Sequence, residues 1–245
     1  VSDFQRTAFL TGAAGGMGRA IAAALVAAGH KAVIADRDGE SLHRLAGELG
    51  EAAFPLTLDI CDGAAVAACL SALPPEFSGI DVLVNNAGHD IGGRKPFHEG
   101  SADDWAAIIE TNLVGLMRVT RAVLPGMVAR NRGDIVNMGS ISALRFVPDM
   151  APYSASKAGV HMLSDIIRGE LAQTAVRVTE ILPGLTRTGI ISARYRGDEA
   201  ETRRYFEQFG TALDPEDVAR CVMFALDQPP HVQIAQLTVL PSNRW

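Results

Sequence analysis

The chain has 245 residues, 48% of them hydrophobic and 20% charged, which suits one α/β domain with a full hydrophobic core. Its formal net charge of −6 gives a nucleic-acid partner no electrostatic support, and no apolar run reaches the ~18 residues of a membrane span. Three scattered cysteines (Cys61, Cys69, Cys221) without a CxxC pair exclude a disulfide framework, and six histidines without HxxxH or HExxH spacing indicate no metal site.

Val1–Arg6 is polar and lacks the basic and apolar regions of a signal peptide, so a reduced, cytoplasmic protein is expected. Strands are predicted at 7–10, 31–35, 54–58, 82–85, 135–138, 176–182 and 237–240. Amphipathic helices are predicted at 17–28, 40–49, 63–73, 102–130, 154–173 and 215–226. Strands separated by helices imply βαβ units. The fold expected is therefore α/β: a single Rossmann-like, doubly wound parallel sheet of about seven strands over residues 1–245, with the dinucleotide-binding part at roughly 1–150. Two segments break the rhythm, 88–100 and 186–210. Each follows the carboxyl end of a strand, where ligands bind in open α/β sheets, so both are candidate substrate walls; plain surface loops are the alternative.

The first strand runs into Thr11-Gly12-Ala13-Ala14-Gly15-Gly16-Met17-Gly18. Glycines at a strand-to-helix turn let backbone N–H groups approach a pyrophosphate at the helix N-terminus; a tight turn with small-residue packing is the bland reading. The spacing is GxxxGxG, not GxGxxG. Asp36 ends the second strand, 18 residues past Gly18. A carboxylate there accepts hydrogen bonds from an adenosine ribose and repels a 2′-phosphate, favouring NAD over NADP. Arg37 argues the other way, since a guanidinium binds phosphate, and Asp36 could also serve as a helix cap. Asp59-Ile60 and Asn86-Ala87-Gly88 end the third and fourth strands, where the adenine and its ribose would lie.

Tyr153 and Lys157 are four residues apart and share a helix face. A nearby ammonium favours phenolate and brings tyrosine towards proton transfer. Ser140 ends a strand 13 residues earlier, and Asn112 sits in a helical stretch that asparagine disfavours.

With TGAAGGMG (11–18), Asp59, NNAG (85–88), Asn112, Ser140, YSASK (153–157) and PGLTRT (183–188) in this order over nearly the whole chain, the sequence resembles the short-chain dehydrogenase/reductase family. The resemblance implies that Tyr153 exchanges the substrate hydroxyl proton and Ser140 hydrogen-bonds the same oxygen. Lys157 would bind the nicotinamide ribose and lower the pKa of Tyr153. Asn112 would hold a water linking Lys157 to solvent. Pro183, Gly184, Thr186 and Thr188 would hold the nicotinamide. Gly139 stands where many relatives carry serine. A narrower resemblance, in 174–184, 213–218 and 230–234, is to the serine/3-hydroxy acid dehydrogenase group, with sulfoacetaldehyde reductases and clavaldehyde dehydrogenase similar too. Many of these are NADP users, from which Asp36 departs.

The expected activity is NAD(H)-dependent interconversion of a small alcohol and its carbonyl, with hydroxy acids and hydroxy sulfonates among the candidates. The alternatives are an NADP-dependent carbonyl reductase, an epimerase or dehydratase on the same scaffold, and a non-catalytic nucleotide sensor. Arg194 and Arg145 are candidate anion-binding residues, with a solvated arginine on a mobile lid as the competing reading of Arg194. His89, with Asp90 and Arg94, is a candidate for the pocket mouth. The resemblance also implies a homo-oligomer, tetramer or dimer, built on long-helix faces, and the tail Pro241–Trp245 ends in an aromatic residue suited to a neighbouring subunit.

Overall fold

A computed structural model describes residues 5–242; Asn243–Trp245, which hold most of that tail, lie outside the described residues. Seven strands, β1 (Thr7–Thr11), β2 (Lys31–Asp36), β3 (Ala53–Thr57), β4 (Ile80–Asn85), β5 (Gly133–Met138), β6 (Val176–Pro183) and β7 (Gln236–Val239), form one sheet. It is parallel throughout, in the order β3-β2-β1-β4-β5-β6-β7. The interior strands are near-continuous apolar runs, as two covered faces require: all six residues of β4 are buried.

One face is covered by α1 (Gly16–Ala27), α2 (Gly39–Leu49) and α9 (Pro215–Leu226), which pack Ile21, Leu25, Leu42 and Val222 against Leu10, Ile34 and Val84. The other is covered by α3 (Gly63–Cys69), α5 (Leu116–Ala129) and α6 (Ala151–Glu170), with Val66, Val119, Val123 and Ile167 against Phe9, Leu83 and Val178. Chain order reverses between β1 and β4, so a crevice opens beyond their carboxyl ends.

Two predicted elements differ. The single helix expected over 102–130 is three pieces: α4 (Ala102–Ile109), a π-helical turn (Glu110–Gly115) and α5. The apolar periodicity runs through all of it, and the turn re-aims the side chains at its centre. The wall expected at 186–210 contains two helices, α7 (Gly189–Arg194) and α8 (Glu199–Phe209). No side chain of α8 is buried, and its large apolar residues, Tyr205, Phe206 and Phe209, are confined to its last turns. Its ends do carry signals: Asp198 caps the N-terminus by accepting from the Ala200 and Glu201 N–H groups, and Gly210 follows at φ +67°.

Candidate active site

The crevice beyond β1 and β4 is a cleft of ≈ 500 Å³. It is lined by Gly12, Gly15, Gly16, Met17, Gly18, Asp36, Arg37, Asp59, Ile60, Asn86, Ala87, Gly88 and Thr188, as expected, and also by His89, Leu58, Thr111, Ile190 and Ala193. Its floor needs glycine. Gly12 has φ +66°, and a Cβ there would fall 2.7 Å from Ala87 Cα; a Cβ on Gly18 would fall 2.0 Å from Gly12 O. Thr11 braces the turn, its Oγ1 accepting from the N–H groups of Asn86 and Ala87 at 3.1 Å each. Neither bond had a local sequence signal, since β1 and β4 are neighbours only in the sheet.

Asp36 is fixed at the cleft wall: Oδ2 accepts from Ala14 N–H at 3.0 Å and Oδ1 from Asp38 N–H at 3.0 Å. The helix cap of α2 is Asp38, not Asp36. Thr188 Oγ1 and Asn86 Oδ1 are buried with no hydrogen-bond partner. A cradle too tight for any Cβ, a fixed carboxylate and orphaned polar atoms beside it suit a dinucleotide: the N-terminus of α1 for the pyrophosphate, Asp36 for the adenosine ribose, Thr188 for the nicotinamide end. Pro183, Gly184 and Thr186 do not line the cleft. Thr186 is buried and its hydroxyl donates to Gly184 O at 3.1 Å, while Gly184 N–H is taken by Val239 O.

Beside the nicotinamide end, three elements bring the predicted catalytic residues together. Ser140 lies two residues beyond the end of β5, its Oγ accepting from Ser142 Oγ–H at 2.9 Å. Tyr153 and Lys157 lie on the first turns of α6, with Lys157 Nζ 5.9 Å from the Tyr153 ring centre. Asn112 is fully buried in the π turn, a feature that recurs at functional sites. Its Oδ1 accepts from His89 N–H at 2.8 Å, and its Nδ2 donates to His89 O and Ser156 Oγ. Gly88 allows this meeting, since a Cβ there would stand 3.0 Å from Asn112 Oδ1 and 3.6 Å from Lys157 Nζ.

Burial, aided by Asp90, pushes the Tyr153 phenol up to about 12, with Arg194 and the Ser140 hydroxyl opposing it. Lys157 is itself pulled down to about 8 by burial, against the attraction of Glu180, and its Nζ donates to Met138 O at 2.7 Å.

Arg194 is not a solvated lid residue. It is 3% exposed, and its Nε donates to Asp90 Oδ2 at 2.7 Å. Its guanidinium lies 5.0 Å from the Tyr205 ring centre, and Nη1 is buried without a partner. Burial works against the Arg194 cation, but Asp90 and Tyr205 outweigh it and hold its pKa above the ordinary value. Asp90, expected at the pocket mouth, is the buried partner of Arg194, and Tyr205, which carried no signal in the sequence, stacks on the same guanidinium. Arg145 is half-buried on the segment between Ser140 and α6, away from the cleft. His89 faces the cofactor cleft, not the substrate side; its ring Nε2 lies 3.2 Å from Ala107 O, and burial lowers its pKa.

The family model described as short chain dehydrogenase matches residues 6–199. The chain belongs to the short-chain dehydrogenase family. An NADP-dependent 3-hydroxy acid dehydrogenase of Salmonella typhi is 42% identical over 95% of this chain and 93% of its own. One from Schizosaccharomyces pombe is 34% identical over 98% and 93%. Among solved structures, the closed form of a serine dehydrogenase complexed with NADP+ superposes with a TM-score of 0.92 at 40% identity, covering 95% of this chain and 94% of that one. As a short-chain dehydrogenase, the chain is an oxidoreductase of CH–OH groups using a nicotinamide dinucleotide. Among the described residues no group of three His, Cys, Asp or Glu could hold a metal, and no helix is long and apolar enough to cross a membrane.

Proposed function

We propose that this short-chain dehydrogenase interconverts a small 3-hydroxy acid and its oxo acid with NAD(H). The observation that carries the substrate class is the buried, unpartnered Nη1 of Arg194, on a cation whose field reaches Tyr153. Asp90 occupies Nε and leaves this second edge of the guanidinium to a carboxylate or sulfonate. The printed activities of the similar bacterial and yeast enzymes support the hydroxy acid.

Tyr153 exchanges the hydroxyl proton, and Ser140 hydrogen-bonds the same oxygen as charge develops on it. Lys157 binds the ribose, and Asn112 closes the rear of the site by clamping His89 to Ser156. The nicotinamide, when bound, supplies hydride acceptance and donation. Asp36 supports NAD: its carboxylate is fixed where a 2′-phosphate would lie. The second reading is NADP, which the names of the relatives and the exposed Arg37 in the cleft wall favour.

One experiment tests both choices. Hydroxy acids, hydroxy sulfonates and neutral alcohols are offered with NAD and with NADP, and reduced cofactor is followed by absorbance. Net NADH formation from a 3-hydroxy acid is expected, which an epimerase or a sensor would not give. For Arg194→Ala the KM for the acid should rise about tenfold or more, with less change for a neutral alcohol. An unchanged KM removes the anion site, and a higher kcat/KM with NADP than with NAD removes the role given to Asp36.

A further inference from the structure

Glu180 lies in the middle of β6 and is 1% exposed. Desolvating an ionised carboxylate costs several kcal/mol unless it is paired. Its Oε2 lies 2.6 Å from His161 Nδ1, while Oε1 has no hydrogen-bond partner. That orphaned oxygen sits over Gly139: a Cβ at 139 would fall 2.3 Å from it. The preceding residue, Met138, gives its carbonyl to Lys157 Nζ. Lys157 and His161 are one turn apart on the same face of α6. The carboxylate and the ammonium therefore converge on the end of β5 from two different elements.

We propose that Glu180 is the buried counter-charge of Lys157, a positioning residue that keeps the active-site ammonium charged and seated on Met138 O, and that Gly139 is glycine to leave room for it. The proposal rests on the placement of Lys157 in the active site. It explains why serine is absent at 139. Glu180 is also the group whose attraction opposes the burial of Lys157.

The other ionisable groups around Lys157 are accounted for. Tyr153 and His161 come from α6 itself. Asp90 and Arg194 pair with each other, and their charges act on Tyr153. The π turn contributes Glu110, paired to Arg118. The end of β5 and the turn after it, residues 137–140, carry no charge.

The test uses the small lysine content: Lys31, Lys95 and Lys157 are the three lysines of the chain. Protein labelled with 13C at lysine Cε is titrated by NMR without substrate or cofactor, so the result stands even if the dehydrogenase reading fails. The Lys157 signal, assigned by its absence in Lys157→Met, should have a midpoint near 8. In Glu180→Gln it should fall by about one unit or more, and the alkaline limb of kcat/KM should move down with it. A midpoint that stays in place overturns the proposal. As a second measure, Gly139→Ser should lower Tm, and adding Glu180→Ser should recover most of the loss; strictly additive losses would remove the role given to Gly139.

Discussion

A lysine buried at the heart of a site is a cost to the fold, and for Lys157 the sign of that cost can be worked out. Its pKa falls from 10.5 in the open chain to about 8 in the folded protein. Between those values the unfolded chain binds more protons, so stability rises with pH from about 8 to 10.5. Below 8 both states are protonated and the full penalty applies, about 3–4 kcal/mol for a shift of this size. Lys157→Met removes this pH-dependent term and abolishes activity, so the Tm of the variant minus that of the wild type should fall steadily between pH 8 and 10, whatever constant cost the unpaired Glu180 adds. A Tm difference independent of pH would mean that the ammonium is not desolvated. Tyr153 and Lys157 were legible as a pair because i and i+4 share a helix face, and Ser140 and Asn112 were singled out with them by the order of motifs along the chain, which the fold brings to one place. Tyr205, Glu180 and the pairing of Asp90 with Arg194 were not legible. Asp90 and Arg194 are 104 residues apart, and Glu180 reads as one more polar residue in a strand with Arg177 and Thr179 until Gly139 and His161 stand beside it.

At the scale of elements, the strands were legible because burial on both faces writes them as apolar runs, and the π turn and α8 were not, for opposite reasons. The π turn hides inside an unbroken helical pattern, whereas α8 carries its large apolar residues only at its C-terminal end, Tyr205 to Phe209, too short a run to set a period. The lid formed by α7 and α8 is instead tied to the segment after β4. Asp90 holds Arg194, Gly93 N–H donates to Arg194 O at 2.9 Å, and Asp104 receives Arg196 at 2.8 Å through both its oxygens. The Arg196 pair is exposed on the arginine side, and such pairs contribute little. The Arg194 pair is buried on both sides. Removing one partner strands a buried charge, at about 3–5 kcal/mol. Local release of the lid relieves that penalty at lower cost than global unfolding. Asp90→Ala should thus raise amide hydrogen exchange in Gly189–Phe209 about tenfold or more, leaving β4 and β5 protected. An increase spread evenly over the sheet would show that the pair supports the whole domain and not the lid.

For the whole molecule, the outer faces of α5 and α6 raise a question that the single chain does not answer by itself. Met117 and Val128 on α5 are 46% and 40% exposed, and Met162 and Ile166 on α6 are 56% and 51% exposed. Met162 and Ile166 are four residues apart and lie on one face, as a docking stripe requires. These helices turn their other faces to the sheet through Val119, Val123 and Ile167, so the outer stripes are apolar surface beyond what the core needs. Packing the same stripe of a second copy against them would be self-complementary about a two-fold axis. The chain is therefore predicted to assemble through α5 and α6. Sedimentation velocity at micromolar concentration should give a dimer or tetramer, and Ile166→Asp should give a smaller species with an unchanged far-ultraviolet spectrum. The charge would be desolvated on association yet fully hydrated in the free chain, so the penalty falls on assembly and not on folding. A wild-type chain that sediments as a monomer would leave those four side chains without a partner and end the argument. So would an Ile166→Asp variant that assembles as the wild type does. Because α6 also carries Tyr153 and Lys157 on its first turns, a looser α6 in the dissociated variant should appear as a fall in kcat.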